Sequence, residues 1–372
     1  MSVTCQMIME ALEEQAPRSL AENWDNVGLI TGHPRQFVDK VLVVLDVTLP
    51  VARYAADNGY HFIVSHHPPI FKGITSLRTD SPQGKLLAEL VKHSIAVYAC
   101  HTNLDVAEGG VSDALADRLG LGATRPLALS QAEKLLKLVV FVPHDHAETL
   151  RQAICAAGAG VLARYSHCTF QTRGTGTFLP LAGASPYLGT EGRMEYAEEA
   201  RLETILPQSA LTAVLDAMNA HHPYEEVAYD LIPLANTDPR RGLGRVGCLP
   251  EQVSTAHFIE KVKSVLEVDG LRVSGPTDKT VRTVALCGGS GAGLITQAAK
   301  VGADVYITGD VKYHEAQEAA DLGLTVIDAG HYATEQPAVG AVVRYLRDRA
   351  LQAGWQLTVS EDPVRRDVFT FW

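Results

Sequence analysis

Apolar residues along this chain follow two patterns, one typical of buried strands and one typical of amphipathic helices. Continuous β-branched and aliphatic runs of strand length favour a sheet that is covered on both faces. The strands predicted in this way are Lys40–Asp46, His61–Ser65, Ile95–Cys100, Val281–Cys287, Asp304–Thr308 and Leu324–Asp328. Helical spacing of apolar residues predicts the helices Val3–Ala16, Thr48–Gly59, Ser81–His93, Gly109–Leu119, Glu315–Leu322 and Gln336–Leu351. Their alternation predicts an α/β fold.

The order of these elements repeats in the two end regions of the chain. In residues 1–126, and again in residues 238–372, strand, helix, strand, helix and strand lead to a histidine that is followed four positions later by an acid. Because the same order and the same final motif occur twice, we expect two pseudo-repeated α/β halves that together form one core.

The middle of the chain, residues 127–237, has a different pattern. Its predicted elements are the strand Leu135–Val142, the helix Ala147–Ala157, the alternating segments Tyr165–Leu179 and Glu195–Leu206, the helix Ser209–Ala220 and the strand Val227–Leu234. A β-α-β-β-α-β order is that of a ferredoxin-like domain. We therefore expect one ferredoxin-like α+β domain inserted between the two halves of the core.

Histidines and acids lie at the predicted strand ends of both halves, where ligands of open α/β sheets gather. Imidazole and carboxylate together suit a borderline divalent cation such as Zn²⁺, Fe²⁺ or Mn²⁺. Each acid follows a histidine by four positions, so one helical turn can present both groups on one side. Two acids that can bridge, with more histidines than one ion needs, indicate two metal ions per subunit. The candidate ligands are His66, His67, His101, Asp105, His331 and Glu335.

Two adjacent histidine pairs need separate interpretations. The pair His66-His67 can face one cleft only if its strand ends before it, which the following Pro-Pro favours; a purely structural pair is the alternative. The pair His221-His222 follows a predicted helix, whose C-terminal end favours imidazole through the helix dipole. A structural or subunit-contact role is the preferred interpretation there, with another metal site as the alternative.

Three further features lie near the predicted strand ends of the second half. The glycine-rich run Gly288–Gly293 could cradle a phosphate, but it lacks the P-loop lysine, and glycines that permit a tight turn are more frequent. Asp310 and His314 are the candidate catalytic residues, through orientation of a ligand or transfer of a proton; a surface loop is the alternative.

Composition and charge narrow the classes of function. The chain has 372 residues, enough for two or three domains, and its formal net charge is -11. No basic run is longer than Arg240-Arg241, which argues against a nucleic-acid partner. No apolar stretch is long enough for a bilayer, and the first residues do not have the pattern of a secretion signal. Six scattered cysteines without a C-x-x-C motif favour a reducing compartment, so we expect a cytoplasmic protein without a membrane partner.

Several separate motifs in this sequence carry a resemblance to a known family. They are Trp24–Leu29, Ser65–Pro68, His101–Asp105, Ile307–Asp310 and Gly330–Glu335. With these motifs in this order, the chain resembles the dinuclear metal-centre proteins called GTP cyclohydrolase 1 type 2 homologues, the Nif-three-like family, in its long bacterial form. The resemblance implies an insert that is similar to PII-like signalling domains. It also implies a toroidal homohexamer, a trimer of dimers, with metal pairs that face an inner cavity.

The same resemblance implies a set of ligands and an activity. By motif, the implied ligands are His66, His67, Asp105, His331 and Glu335, and the internal repeat adds His101. The implied activity is a metal-dependent hydrolysis of the GTP cyclohydrolase 1 type 2 kind, through metal-bound hydroxide, on a small-molecule substrate such as a nucleotide.

Two other functions stay open at the level of sequence. One is a metal-dependent phosphoesterase, for which Lys72, Arg78 and Lys312 are candidate phosphate clamps by position. The other is a non-enzymatic metal-binding or regulatory hexamer whose insert binds a small effector. No base-reading element can be named from the residues, so the sequence leaves the substrate open.

Overall fold

The chain divides into two units in the computed structural model, which describes residues 2–130, 134–162, 165–236, 238–364 and 366–372. The first unit comprises Met1–Ser130 and Pro239–Trp372, and the second comprises Gln131–Asp238. Both combine helices and sheets, so the predicted mixed α/β class is confirmed.

The strands of the described residues are, in chain order, β1 Val3–Thr4, β2 Gly28–Thr31, β3 Phe37–Val38, β4 Lys40–Val44, β5 Phe62–Ser65, β6 Ala96–Ala99, β7 Gly122–Leu129, β8 Leu135–Pro143, β9 Thr169–Phe178, β10 Glu195–Pro207, β11 Tyr229–Pro233, β12 Gly242–Ser254, β13 Arg272–Ser274, β14 Thr280–Leu286, β15 Val305–Thr308, β16 Thr325–Asp328 and β17 Thr358–Glu361.

The α-helices of the described residues are α1 Cys5–Gln15, α2 Leu49–Asp57, α3 Pro82–Lys92, α4 Thr102–Val106, α5 Val111–Leu119, α6 Ala147–Ala156, α7 Leu211–His221, α8 Thr255–Val265, α9 Ile295–Lys300, α10 Tyr313–Asp321, α11 His331–Glu335 and α12 Pro337–Ala353. Among them there is no helix with the length and apolarity that crossing a membrane requires.

Two larger sheets form the framework of the first unit. One has the strand order β17-β4-β5-β6-β2, and the other has the order β13-β16-β15-β14-β12-β7. Each contains a run of parallel neighbours: β17, β4, β5 and β6 in one, and β14, β15 and β16 in the other. Consequently the carboxyl ends of these strands lie at one edge of each sheet, which is where ligands of such sheets gather.

Alternate residues of the central strands pack into different hydrophobic clusters, which shows that both sheets are covered on both faces. In β4, Val41 and Val43 pack with α1 and α12, whereas Leu42 and Val44 pack with α2 and α3. The second sheet is covered by α5 and α8 on one face and by α9 and α10 on the other. Burial on both faces explains the continuous hydrophobicity of these strands.

The second unit is a four-stranded antiparallel sheet with two helices. Its strand order is β11-β8-β10-β9, and its elements follow one another as β-α-β-β-α-β. Leucines and valines of β8 and β10 pack against α6 and α7 in one cluster. This is the element order of a ferredoxin-like domain.

Candidate metal centre

The first unit brings histidines and acids together at the carboxyl ends of its parallel strands. His66 and His67 directly follow β5, which ends at Ser65, and their ring centroids are 4.9 Å apart. His101 follows β6, and its ring centroid lies 5.1 Å from that of His66 and 5.3 Å from that of His67. His331 follows β16 and lies 5.4 Å from His67, centroid to centroid. The four imidazoles therefore form one cluster.

Two one-turn helices carry the acids of the cluster. Asp105 lies in α4, for which His101 is the N-cap, and Glu335 is the last residue of α11, which His331 begins. The spacing of four positions thus falls on helical turns, where residues four apart lie on the same side. His331 Nε2 and Glu335 Oε2 are accordingly 3.1 Å apart.

Every imidazole of the cluster has its Nδ1 committed to an acceptor outside the cluster. The Nδ1–H groups donate in four contacts: His66 to the carbonyl of Cys100 at 2.8 Å, His67 to Asp46 at 2.9 Å, His101 to Asp25 at 2.9 Å and His331 to Asp310 at 2.8 Å. Because a neutral imidazole carries one proton, each Nε2 is left with a lone pair for a ligand. An acceptor on the far nitrogen is the usual support of a metal-binding histidine.

Glu335 lies at the centre of the cluster. Its Oε2 is 3.2 Å from Nε2 of His67, and its Oε1 is 3.6 Å from Nε2 of His66. The residue is only 4% exposed, and neither Nε2 of His66 nor Oε2 of Glu335 has a hydrogen-bond partner of proper geometry in the described part of the chain. Buried polar atoms without partners are costly, and a metal ion satisfies both a lone pair and a carboxylate oxygen.

Two overlapping sets of donor atoms have the spacing of a metal site. One set is His66, His67 and His101, the other is His67, His331 and Glu335, and within each the donor atoms lie within 4.8 Å of one another. Asp105 lies beside the first set, with its Oδ1 3.7 Å from Nε2 of His66. The cluster can therefore hold a metal ion, and its donors are the neutral and anionic groups that a divalent cation prefers.

The acids around the cluster lack basic partners. Within the described residues, each is paired with imidazoles and with no lysine or arginine; they are Asp25, Asp46, Asp105, Asp310 and Glu335. Several carboxylates held this close require positive charge nearby. The cluster therefore takes up either protons or cations.

The pKa values of the metal-free cluster reflect this demand for positive charge. Burial by itself lowers the pKa of His67, but hydrogen bonds to Asp46 and Glu335 outweigh it and raise that pKa to about 10. Contact with Glu335 likewise raises the pKa of His331 to about 9. Burial raises the pKa of Asp105 to about 6, whereas the imidazoles hold the pKa of Glu335 well below its usual range despite burial. In the metal-free protein, protons on these imidazoles therefore supply the positive charge that a metal ion would otherwise supply.

Glycine at position 289 allows the loop after β14 to approach the cluster. A Cβ there would lie 2.1 Å from Oε1 of Glu335 and 3.3 Å from Nε2 of His331, and the residue has a φ of +65°. Its amide also donates to the hydroxyl of Thr334, at 3.0 Å. The glycine run therefore serves close packing on Glu335, a role that the sequence interpretation as a turn or phosphate cradle did not include.

The remaining sequence candidates fall in different places. Asp310 has a positive φ of 58°, which aspartate tolerates better than most residues, and its Oδ2 accepts from His331. His314 is exposed on the first turn of α10, where its ring meets that of Tyr313 at a centroid distance of 5.4 Å. Asp310 is thus an orienting acceptor by geometry, and the catalytic role of His314 stays a prediction.

Sequence reasoning missed Asp25 and Asp46 as members of the site. Asp25 accepts from His101 and also from the backbone and hydroxyl of Thr102, at 3.0 and 2.6 Å, and its carboxylate is fully buried. Asp46 ends the predicted strand Lys40–Asp46, and its position at a strand end could have identified it as a member of the site. For Asp25, the sequence offered only its place in the Trp24–Leu29 motif.

Aromatic side chains border the cluster on the side of His101. The exposed rings of Trp24 and Phe71 meet His101 edge to face, at centroid distances of 6.0 and 5.5 Å. A hydrogen bond of 2.6 Å from the side-chain Nδ2 of Asn26 to the backbone carbonyl of Ile70 joins the two loops that carry them. On the side of His101 the rim of the site is therefore aromatic and can contact a flat ligand.

Comparison with known proteins identifies relatives across almost the full chain. This chain is 45% identical over 332 residues to a protein of Bacillus subtilis (strain 168) named GTP cyclohydrolase 1 type 2 homolog, with 89% of each chain covered. A protein of the same name from Halalkalibacterium halodurans is 40% identical over 369 residues, with 98% of both chains covered.

Solved structures show the same fold. A Bacillus cereus protein related to NIF3 superposes with a TM-score of 0.91 at 43% identity, covering 100% of this chain and 99% of that one. A Staphylococcus aureus protein superposes with a TM-score of 0.80 at 29% identity and the same coverage. The family profile of Duf34/NIF3 (NGG1p interacting factor 3) matches residues 3–367. This chain is a member of the Duf34/NIF3 family.

Proposed function

We propose that this protein is a metal-dependent hydrolase whose cluster holds two divalent ions. The observation that carries the proposal is that all four Nδ1 atoms have acceptors, which leaves four Nε2 lone pairs, three of them (His66, His67 and His331) within 3.6 Å of Glu335. The proposed ligands are His66, His67, His101, Asp105, His331 and Glu335. Two ions rather than one are supported by the two overlapping donor sets.

Divalent ions in such a site lower the pKa of the water they bind and stabilise developing negative charge. The chain's own residues supply the rest. Asp25, Asp46 and Asp310 fix the rings and tautomers of their histidines, so the donor atoms are oriented before any ligand arrives. Glu335 lies within reach of three imidazoles, which makes it the proposed bridging group.

The proposed substrate has a flat heterocyclic ring. The support is the exposed pair Trp24 and Phe71, whose rings border His101 and can stack on such a ring. Opening of the guanine ring of GTP is the single best-supported version, because the relatives with 45% and 40% identity carry the name GTP cyclohydrolase 1 type 2 homolog.

A phosphoesterase has weaker support from the candidate clamps. Arg78 is paired with Asp80 at 2.5 Å, and both side chains are exposed. Lys72 and Lys312 are exposed as well, so none of the three is held in a phosphate pocket by the described residues. A non-enzymatic regulatory role remains the second candidate, favoured by the separate second unit with its own cavity.

The assembly is part of the same proposal. We propose a cytoplasmic homohexamer, a trimer of dimers, with a PII-like insert, as the family resemblance implies. Light scattering of the purified protein measures its mass directly. A monomer or dimer across a wide concentration range would contradict the proposed hexamer and would leave the metal proposal unaffected.

The function is tested by incubating the metal-loaded protein with GTP and with a panel of phosphoesters, and detecting products by mass spectrometry. The matched variants are Glu335→Gln and His221→Asn, the latter an exposed histidine of the second unit. We expect ring-opened product from parent and His221→Asn, and a loss of about a hundredfold or more in Glu335→Gln. A protein with two ions that turns over none of these substrates would favour the regulatory role.

A further inference from the structure

The second unit contains a cavity of about 450 Å³ that the proposed metal centre does not use. Aromatic rings form much of its wall: Tyr224 lies 5.9 Å from Phe178 and 6.2 Å from Tyr187, centroid to centroid. The loop that follows β9 supplies further apolar groups, among them Leu179 and Pro186. A concave, mostly apolar pocket with a few polar groups is the usual form of a small-molecule site.

A buried carboxylate lies in this aromatic pocket. Glu199 of β10 is 8% exposed, and its Oε1 accepts a hydrogen bond of 2.9 Å from the hydroxyl of Tyr224. Burial raises the pKa of Tyr224, and the contact with Glu199 raises it further, so the phenol stays protonated and donates. In the described residues, no lysine, arginine or histidine forms an ion pair with Glu199. Acids this buried are normally paired with a positive charge.

The backbone beside Glu199 leaves room for its other oxygen. A Cβ at position 176 would lie 2.1 Å from Oε2 of Glu199, so a larger residue there would displace this carboxylate from its observed position. No described residue donates a hydrogen bond to that Oε2. The carboxylate is therefore held through Oε1 by Tyr224, and its Oε2 is left for a ligand.

The charge of the pocket is uniformly negative. Glu225 and Glu226 line it together with Glu199, whereas no described lining residue is a lysine or arginine. His222 lies against Tyr224, at a centroid distance of 5.1 Å, but burial lowers its pKa and leaves the imidazole neutral. No resident group of the described pocket supplies the counter-charge that Glu199 requires.

The walls of the pocket are fixed by contacts within the unit. Glu225 accepts a hydrogen bond of 2.9 Å from the amide of Ser185, and Tyr187 meets His146 through a hydrogen bond of 3.0 Å. These contacts hold the loop between β9 and β10 over the cavity. The pocket is thus built before a ligand arrives, which lowers the entropic cost of binding.

We propose that this cavity binds a small organic cation, a substituted ammonium group on an apolar body. Aromatic faces attract a cation through their quadrupole, and the effect is strongest for weakly hydrated ammonium groups in a desolvated site. Glu199 supplies the charge partner. A metal ion fits less well because it requires several oxygen or nitrogen donors at one point, whereas the wall here is largely carbon. Three carboxylates exclude an anionic ligand.

The test uses the full metal-loaded chain and two probes of the same shape. Choline carries a trimethylammonium group, and its neutral carbon isostere carries a tert-butyl group in the same place. Isothermal titration calorimetry measures the affinity for each. We expect choline to bind at least about tenfold more tightly than the isostere, because only the cation gains from Glu199 and the aromatic faces. Equal affinity, or no binding of choline, would overturn the proposal.

Two variants locate the effect. Glu199→Gln keeps the shape and removes the charge, and it should weaken choline binding about tenfold or more. Its matched control is Glu198→Gln, because Glu198 is the exposed neighbour on the opposite face of β10. Unchanged choline binding in Glu199→Gln, or equal losses in both variants, would contradict the assignment. Hydrogen exchange of residues 134–236 checks the fold. If Glu199→Gln does not fold, Tyr187→Ala is tested in its place. This variant should lose several-fold in affinity for choline and keep its affinity for the neutral isostere.

Discussion

The chain contains two His-His-Pro segments whose histidines differ in the partners of their ring nitrogens. In the first, His66 and His67 follow a strand of a parallel sheet and leave one nitrogen each facing the cluster. In the second, His221 and His222 end helix α7 of an antiparallel unit, and their nitrogens serve the unit's own backbone. The same tripeptide is therefore a metal-site candidate in one place and a structural element in the other.

The difference lies in where the ring nitrogens find partners. His222 donates from Nε2 to the carbonyl of Phe141 at 2.9 Å and accepts at Nδ1 from the amide of Tyr224 at 3.1 Å. Both of its nitrogens are consumed, so none remains for an ion. The Nδ1 of His221 contacts the carbonyl of Ala217 on its own helix, at 2.9 Å, and among the described residues His221 belongs to no group of donor atoms with the spacing of a metal site. A histidine becomes available to a metal when one nitrogen has an acceptor and the other lies free among further donor atoms.

The largest effect is expected from Gly289, which packs against Glu335 of the metal cluster. Gly289→Ala places a methyl group against Glu335 and should weaken metal binding by about a hundredfold or more, because the proposed bridging carboxylate must move. Gly302→Ala is the matched control, since its φ of +75° carries the same backbone penalty and nothing lies within 4 Å of the added atom. Competition with a metal-sensitive dye measures both. Equal affinities in the two variants would contradict the role given to Gly289.

The acceptors behind the imidazoles should have the next largest effect. Asp46→Asn keeps the size of the side chain but weakens the hold on His67, and we expect metal affinity to fall by about ten- to a hundredfold. Asp80→Asn is the control, because that acid pairs with an exposed arginine instead of an imidazole. An affinity in Asp46→Asn equal to that of the control would show that the acceptor does not tune the site.

Removal of a histidine from the second segment should affect stability and leave metal content unchanged. His222→Ala leaves a carbonyl and an amide without their partner, which should cost the second unit about 1–3 kcal/mol. His221→Ala, at an exposed position, should cost much less. Hydrogen-exchange mass spectrometry of residues 134–236 reports on this unit separately. A loss of bound metal in His222→Ala would break the contrast between the segments.

The smallest predicted effect is a difference in pH dependence. Burial lowers the pKa of His222 below its ordinary 6.5, so its contribution to stability is present above pH 6.5 and is lost as the pH falls through the folded value. In the metal-free cluster the direction reverses, because the pKa values of His67 and His331 are raised to about 10 and about 9. Their contribution is present below pH 6.5 and is lost as the pH rises through 9 to 10.

Hydrogen exchange of chelator-treated protein at several pH values, corrected for intrinsic rates, distinguishes the pH dependence of the second unit from that of the metal-free cluster. The second unit should lose protection between pH 7 and pH 5, and His222→Ala should remove much of that dependence. The strand ends around His67 should lose protection between pH 8 and pH 10. The same sign of pH dependence in both regions would contradict the assignment of neutral and charged imidazoles.

The sequence contained enough information for the parallel strands and for the residues that gather at their ends. Continuous hydrophobicity gave the bounds of β4, β5 and β6 to within two residues, and the six predicted ligands lie in one cluster of the first unit. Their roles as metal ligands, the pseudo-repeat and the PII-like character of the insert stay predictions. The family resemblance is confirmed by the profile match over residues 3–367.

Other features could not be predicted because they depend on distant contacts or on diluted patterns. The acceptor of His101 lies 76 positions away in Asp25, with no local signal to connect the two. Strand β12, Gly242–Ser254, contains glycine and proline, which obscure the alternation of a strand, and it pairs with β7 and β14 through irregular registers. The one-turn helices α4 and α11 are too short to show a helical period.

The central claim is that one cluster in the first unit holds two ions through a shared carboxylate. Plasma mass spectrometry of protein purified without chelator or affinity nickel tests it most directly, on the parent and the variants Glu335→Gln and His66→Ala. We expect about two ions per subunit in the parent, loss of both in Glu335→Gln and loss of one in His66→Ala. A folded parent without tightly bound metal, or the loss of one ion in each variant, would contradict the claim.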